Sequence, residues 1–286
     1  MLLSRRVFAT AVTTLVLAAC GSDTTDRVAG PGDLGHIHDL VETADGELLA
    51  ASHSGLYRIT DTETAILVGS EQHDLMSMAA DDDLLYASGH PDLRLEKYRV
   101  ADHPPHLGLA RSGDGGETWT VEADLLGKHD FHALLPTSRG LYAADTQGMI
   151  RLRTPAAEWT DLGELAARDL AADPDNPDHL VATDEEAQIW VSTDGARTWS
   201  RVQDAPPVIE VEWEESDLLV AATEDGVLYR AGSPDGPWAS VASAPGEIET
   251  LHIDDGRWWV TGHGGSIHFS TDDAATWEAV YLPPER

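Results

Sequence analysis

The chain has 286 residues, of which 42% are hydrophobic, and it carries 51 acidic against 18 basic residues, for a formal net charge of −33. This length is enough to bury a substantial core. With so few cations no phosphate-neutralising surface can be assembled, which excludes nucleic acid as a main partner.

The first 19 residues have the composition of an export signal. Arg5 and Arg6 form a positive start, and the apolar run that follows them is shorter than the roughly 20 residues that a membrane-spanning helix needs. The run ends in Leu-Ala-Ala followed by Cys20, which resembles the lipobox of bacterial lipoproteins and implies a lipidated thiol. A buried cysteine is the alternative. The paired arginines also resemble a twin-arginine signal, so the export route stays open between that system and general secretion.

These features predict three segments: a signal peptide over residues 1–19, a lipidated Cys20 with a flexible tether over 20–35, and a folded domain over 36–286. We expect an extracytoplasmic protein that its lipid anchors to the cell membrane. Cys20 is the one cysteine of the chain, so the folded domain depends on packing and hydrogen bonds rather than on disulfides. Its strong negative charge favours a soluble monomer.

Five tryptophans recur at intervals of 39 or 40 residues. They are Trp119, Trp159, Trp199, Trp238 and Trp277. A period near 40, with short β-type runs separated by Gly/Asp turns, is typical of a β-propeller. The period predicts an all-β, six-bladed β-propeller in which each blade is complete within its own segment. The expected blades span about 36–69, 73–123, 130–165, 169–202, 207–243 and 246–283.

Three of these tryptophans end a segment of the form S-x-D-x-[G/A]-x-T-W, at residues 112–119, 192–199 and 270–277. The segments resemble the Asp-box of BNR, or sialidase-like, β-propellers. The resemblance implies that the Asp and Ser/Thr side chains bond nearby backbone and that the tryptophan packs between blades. An acid–base role of these aspartates is the alternative. If its ring is buried between blades, Trp199→Ala should cost roughly 3–5 kcal/mol.

Four further segments narrow the resemblance to exported bacterial propellers labelled BNR-type glycosylhydrolases. They span residues 36–40, 88–92, 106–109 and 130–134. The label implies a glycosyl hydrolase. Sialidases, however, hold the substrate carboxylate with three arginines at the channel mouth, and only Arg168 is expected there. No sialidase arginine triad is identifiable, so enzymatic activity stays open.

Ten of the 13 histidines map to one face of the expected propeller, where the D–A and B–C loops surround the mouth of the central channel. Those at or before the first strands are His36, His38, His73, His129 and His132. Those at the ends of second strands are His53, His90 and His263, and a long insertion in blade 2 adds His103 and His106. Long loops in compact folds are usually functional.

Alignment of the six first strands gives one position that rings the channel mouth. It is occupied by His38, Met76, His132, Arg168, Ile209 and Glu249. Two imidazoles and a thioether suit a soft or borderline transition metal, so we predict a copper or zinc site at His38, Met76 and His132. The wider ligand site is expected to include His36, His53, His90, His106, Arg168 and Glu249. The alternative is a polar channel in which histidines bond carboxylates and water.

The sequence thus predicts a lipid-anchored, extracytoplasmic, sialidase-like propeller that binds a metal, a glycan or a protein ligand at a histidine-rich mouth. One alternative is a glycoside hydrolase that uses two carboxylates of the same face. Its candidates are Asp39, Asp74, Asp92, Asp130, Glu210 and Glu249. A second alternative is a non-catalytic assembly scaffold.

Overall fold

The computed structural model describes residues 27–28, 34–81, 84–100 and 105–283. Cys20 and the predicted signal peptide over 1–19 lie outside the described residues. No helix of the described part is long and apolar enough to cross a membrane.

The described chain forms six antiparallel sheets, which confirms the predicted six-bladed β-propeller. Blade 1 contains β1 (Arg27–Val28), β2 (Ile37–Glu42), β3 (Leu48–Ser52), β4 (Gly55–Asp61) and β5 (Thr64–Leu67). Blade 2 contains β6 (Asp74–Asp81), β7 (Leu84–His90), β8 (Ala110–Ser112) and β9 (Thr120–Val121). Blade 3 contains β10 (Phe131–Thr137), β11 (Gly140–Asp145), β12 (Met149–Arg153) and β13 (Trp159–Glu164). Blade 4 contains β14 (Ala167–Asp173), β15 (Asn176–Asp184), β16 (Ile189–Ser192) and β17 (Ser200–Arg201). Blade 5 contains β18 (Glu210–Glu215), β19 (Leu218–Ala222), β20 (Val227–Ala231) and β21 (Ala239–Ser243). Blade 6 contains β22 (Ile248–Asp254), β23 (Arg257–Gly262), β24 (Ser266–Ser270) and β25 (Glu278–Tyr281).

The core lies between the blades and not in the channel. In β3 every residue is buried, and successive side chains point to opposite faces of the sheet. Leu49 and Ala51 therefore pack against blade 2, whereas Leu48 and Ala50 pack against blade 6. Because both faces of β3 are buried, its sequence is a continuous run of apolar residues that ends at Ser52.

The two-residue strand β1 pairs with the outer strand β5, with Arg27 opposite Leu67 and Val28 opposite Ile66. The segment expected to be a tether over 20–35 therefore contributes a fifth strand to blade 1. Blade 6 takes its four described strands from its own segment, so the ring closes without a strand exchange. At this seam the Ile37 amide donates to Glu249 Oε2 at 3.1 Å, and the Leu282 amide donates to the Thr62 carbonyl at 2.9 Å.

The three S-x-D-x-[G/A]-x-T-W segments form hairpin turns, and their Ser, Asp and Thr side chains make hydrogen bonds within the turn. Asp114 accepts hydrogen bonds from the Thr118 amide and hydroxyl at 2.9 and 2.6 Å, and Ser112 Oγ accepts from the Gly116 amide. The same bonds recur around Asp194 and Asp272. The Gly116 position has a left-handed backbone (φ 89°), which accounts for the small residues there. These bonds favour the structural interpretation of the aspartates.

The first strands surround the channel, and five of them have an irregular register at the position predicted to ring its mouth. A bulge leaves one residue out of the ladder and redirects its side chain. The residues left out are His38, Met76, His132, Arg168 and Glu249. The sixth predicted ring residue, Ile209, is instead buried with the core between blades 5 and 6.

Candidate functional site

Two adjoining cavities form the channel. The outer one, of about 370 Å³, is lined at the mouth by the five bulge residues together with His36 and His263. The inner one, of about 410 Å³, shares His38, His132 and Arg168 with it and continues past Asp169 and Glu210. Five of the six residues that the alignment placed at the mouth therefore line one cavity, as the bulges require.

The Asp130 carboxylate is the centre of the most buried histidine group. Its Oδ2 atom lies 3.4 Å from His90 Nε2, 3.5 Å from His106 Nδ1 and 3.4 Å from His132 Nε2. Three imidazoles from different segments thus surround one oxygen. We call His90, His106, Asp130 and His132 the inner group.

The local fold explains this convergence. His90 ends β7, Asp130 directly precedes β10, and His132 is the bulge residue of β10. The blade 2 insertion is fastened beside them, because the Leu107 amide donates to the Gly89 carbonyl at 2.7 Å and the His106 carbonyl accepts from the Gly127 amide at 2.8 Å. The insertion therefore brings His106 beside Asp130.

The inner group has strongly shifted acidities. Burial by itself would raise the pKa of Asp130. The contacts with the His132 and His90 rings have a larger, opposite effect and hold the pKa of this carboxyl well below its usual range. Contacts with Asp130 and Asp74 raise the pKa of His90 to about 10. At neutral pH His90 is therefore an imidazolium between two carboxylates.

A second group, which we call the middle group, consists of His38, His53 and Asp74. His53 Nδ1 lies 2.7 Å from Asp74 Oδ1, and His38 Nε2 lies 3.3 Å from His53 Nδ1. Burial and the neighbouring His53 lower the pKa of His38 to about 4, so its ring is neutral at physiological pH. Asp74 also contacts the inner group, because its Oδ2 lies 3.0 Å from His90 Nδ1.

A third group, which we call the outer group, joins blade 6 to blade 1. Glu249 Oε1 lies 2.6 Å from His36 Nδ1 and 3.0 Å from His263 Nδ1. Both rings are exposed. In all three groups, a carboxylate and at least two imidazoles place possible ligand atoms within 4.8 Å of one another.

The structure distributes the predicted metal set differently from the sequence. His38 belongs to the middle group and His132 contacts Asp130 of the inner group, while Met76 lines the mouth. The set of His38, Met76 and His132 stays a prediction, whereas the close contacts of these histidines are with the carboxylates Asp74 and Asp130. Both carboxylates are among the candidates of the hydrolase alternative.

Not every histidine of this face serves the mouth. His73 is buried, accepts a hydrogen bond from the Asp92 amide at 3.0 Å and contacts Glu71. His129 stacks on Phe131 and contacts Asp145 at 2.7 Å. These two rings support the blade 2 insertion and blade 3. His103 lies outside the described residues.

The inner cavity contains acids that connect neighbouring blades. Asp39 accepts from the Met78 amide at 2.9 Å and Asp169 from the Val211 amide at 2.7 Å. Burial raises the pKa of Asp39 to about 7, and burial together with the Glu212 charge raises the pKa of Asp169 to about 8. Burial and the Asp169 charge also raise the pKa of Glu210 well above its usual value. These carboxyls connect blades while lining the inner cavity.

Neither a protein-family model nor a curated protein matches the chain. Several solved structures do match it. The GH74 enzyme of Niastella koreensis is 14% identical over 85% of this chain and 37% of its own, with a TM-score of 0.56. The WD40 β-propeller domain of Doa1 is 12% identical over 90% and 85%, with a TM-score of 0.61. The extracellular domain of BT4673 of B. thetaiotaomicron, named as a hybrid two component system, is 11% identical over 86% and 33%, with a TM-score of 0.57.

The comparisons show a β-propeller fold. At these identities they show nothing more specific, and the chain spans only about a third of the length of the GH74 enzyme and of BT4673.

Proposed function

We propose that this propeller binds a borderline transition metal, Zn²⁺ or Cu²⁺, at its histidine-rich mouth, with His90, His106, Asp130 and His132 as ligands. The single observation that carries the proposal is the approach of three imidazole nitrogens to one Asp130 oxygen at 3.4–3.5 Å. Imidazole nitrogens and carboxylate oxygens are common ligands of these metals.

The distances favour a metal over hydrogen bonds. An N–H···O bond to a carboxylate is about 2.7–2.9 Å long. In a tetrahedral site with metal–ligand bonds of about 2.0–2.1 Å, neighbouring ligand atoms lie about 3.3–3.4 Å apart. The three contacts of Asp130 Oδ2 match the second spacing. His132 is not part of the set whose ligand atoms lie within 4.8 Å of one another, so its side chain has to move before it can bind the same ion.

The hydrogen-bond inventory supports the same conclusion. Among the described protein groups, His106 Nδ1, Asp130 Oδ1 and His132 Nε2 are buried and have no hydrogen-bond partner. Buried polar atoms are nearly always paired, because leaving them unpaired costs about 1–3 kcal/mol each. A bound cation would use the lone pairs of the inner group and offset this cost.

The hydrolase alternative has less support. Of its candidate carboxylates, Asp74 and Asp130 contact histidines, Asp92 is paired with Arg94, and Glu249 is bonded to His36. Four protein ligands also close a metal site, whereas catalytic zinc keeps a position open for water. The arrangement therefore favours metal binding over hydrolysis, and a glycan or protein ligand is the next alternative.

Metal titration tests this function. Four-ligand structural zinc sites are worth about 10–16 kcal/mol, so removing one ligand by His132→Ala should weaken binding by at least about 100-fold. Isothermal titration of chelator-treated protein with Zn²⁺ and with Cu²⁺ measures this loss. His179→Ala is the matched control, because His179 has an Asp173 neighbour but lies on a hairpin outside the mouth.

Unchanged thermal stability of the wild type in both metals would overturn the metal proposal and favour a glycan or protein ligand. Hydrolysis of aryl glycosides by metal-free protein would favour the hydrolase instead.

We also propose that Cys20 carries the lipid that anchors the domain to the cell membrane from outside. Cys20→Ser should move the protein from the membrane fraction to the soluble fraction, because a lone polar tether has no affinity for a bilayer. Fractionation and mass spectrometry of the N-terminus check this result. An uncleaved N-terminus with unchanged membrane retention would contradict lipidation.

A further inference from the structure

The middle group stands beside the inner group but is more open to solvent. The most exposed side chain is that of His53, at 47%, and Asp74 is 31% exposed. In the inner group His90, His132, His106 and Asp130 are 35%, 33%, 21% and 7% exposed. Asp74 contacts both groups through its two oxygens, and the His90 ring stands between the carboxylates of Asp74 and Asp130. The two groups are therefore adjacent, and they differ in burial.

We propose that His38, His53 and Asp74 form a second transition-metal site, weaker and faster in exchange, through which Zn²⁺ or Cu²⁺ reaches the inner group. This inference rests on the proposed function of the inner group. It adds a site, its metal class and a route for the metal.

The ligand atoms of the middle group support a site. His38, His53 and Asp74 come from blade 1 and blade 2, and each offers one ligand atom within 4.8 Å of the others. The 2.7 Å contact between His53 Nδ1 and Asp74 Oδ1 is a hydrogen bond in the empty site, so an ion has to displace its proton. His38 is fixed by the bulge of β2, while His53 lies in the turn between β3 and β4. Three protein ligands leave a tetrahedral ion with one water position. The site should therefore bind more weakly than the four-ligand inner group and exchange its metal faster.

Asp74 couples the two sites. Because His90 is an imidazolium without metal, an ion on His90 Nε2 replaces a proton, and His90 Nδ1 keeps its contact with Asp74 Oδ2. Asp74 therefore holds a ligand of the inner group with one oxygen and contacts His53 with the other. The two ions also repel each other at close range. By linkage, each ion weakens the other, so the first equivalent of metal occupies the inner group and a second binds with lower affinity.

The route follows from exposure. His53 is more exposed than any ligand of the inner group, so an ion arriving from solvent reaches it most readily. From the middle group the ion needs only to pass the His90 ring, which already contacts Asp74. Capture by the middle group thus raises the rate at which the inner group fills.

The experiment is a metal titration and a stopped-flow loading assay on the full chain, with a colorimetric chelator competing for Zn²⁺. The wild type should bind one Zn²⁺ tightly and a second at least about 10-fold more weakly. His53→Ala should abolish the weak class, keep one tight Zn²⁺ and slow its loading by about 10-fold. His132→Ala should remove the tight class and leave a weak one. His179→Ala should change neither class.

Two outcomes would overturn the inference while the proposed function stands: His53→Ala retaining both classes, or His53→Ala loading the tight site at the wild-type rate. A wild type that binds no Zn²⁺ tightly would instead refute the proposed function. Because His53 is an exposed turn residue, circular dichroism of the variant is expected to match the wild type and exclude unfolding as a cause.

Discussion

Replacing Trp258 by alanine should lower the free energy of unfolding by about 3–5 kcal/mol, the cost expected for removing a large, fully buried ring. Trp258 is 1% exposed and packs in the core between blades 5 and 6. The Arg230 guanidinium also lies 5.0 Å from the centre of its ring. Urea unfolding followed by circular dichroism measures the change.

Trp199→Ala is the control for this prediction. The sequence favoured a loss of about 3–5 kcal/mol there if the ring were buried between blades. The structure leaves Trp199 only partly buried at the margin of the core between blades 3 and 4, so the expected loss falls to about 1–2 kcal/mol. Equal losses at the two positions would contradict the assignment of the core.

The acids of the inner cavity should make the protein less stable as the pH rises from about 5 to about 8. Asp169 has a pKa of about 8 in the folded chain, and that of Glu210 is also raised, so the folded state holds protons that the unfolded chain has released. Each such group lowers stability by up to about 1.4 kcal/mol per pH unit in this window, and the loss ends above its folded pKa. Glu212, Asp39 and Arg168 are the charged groups around the pair.

Glu210→Gln tests this dependence, because glutamine keeps an oxygen for the Leu251 amide and cannot ionise. The variant should show a slope of stability against pH that is shallower by about 1 kcal/mol per unit. Urea midpoints between pH 5 and 8, measured with a chelator present, give both slopes. The exposed Glu278→Gln should leave the slope unchanged, and parallel curves for Glu210→Gln and wild type would disprove the role of the cavity.

The blade pattern was predictable because hairpin chemistry is local. A tryptophan period and an Asp–Thr turn lie within one segment, so the sequence alone places the six sheets. The alignment of first strands also found the five mouth residues, since His38 and His132 occupy equivalent positions of equivalent strands. The register bulge that turns them inward has no sequence signal of its own.

The pairing of acids with histidines could not be predicted. The chain has 51 acidic residues, and only the folded ring shows that Asp74 lies beside His53 and Asp130 beside His106. These contacts join segments of different blades, so no local spacing encodes them. The strand β1 was missed for a different reason, because two residues give no periodicity.

The absence of strand exchange among the described blades has an evolutionary consequence. Each sheet is encoded by one uninterrupted stretch, and no ladder of strand pairs crosses the seam between blade 6 and blade 1, where Glu249 and Arg257 make contacts. New chain termini placed between any two blades would therefore divide no sheet. Duplication, loss or circular permutation of whole blades then requires only that one contact between two blades forms again. A propeller closed by a shared strand would first have to break the hydrogen bonds of that strand with its neighbour.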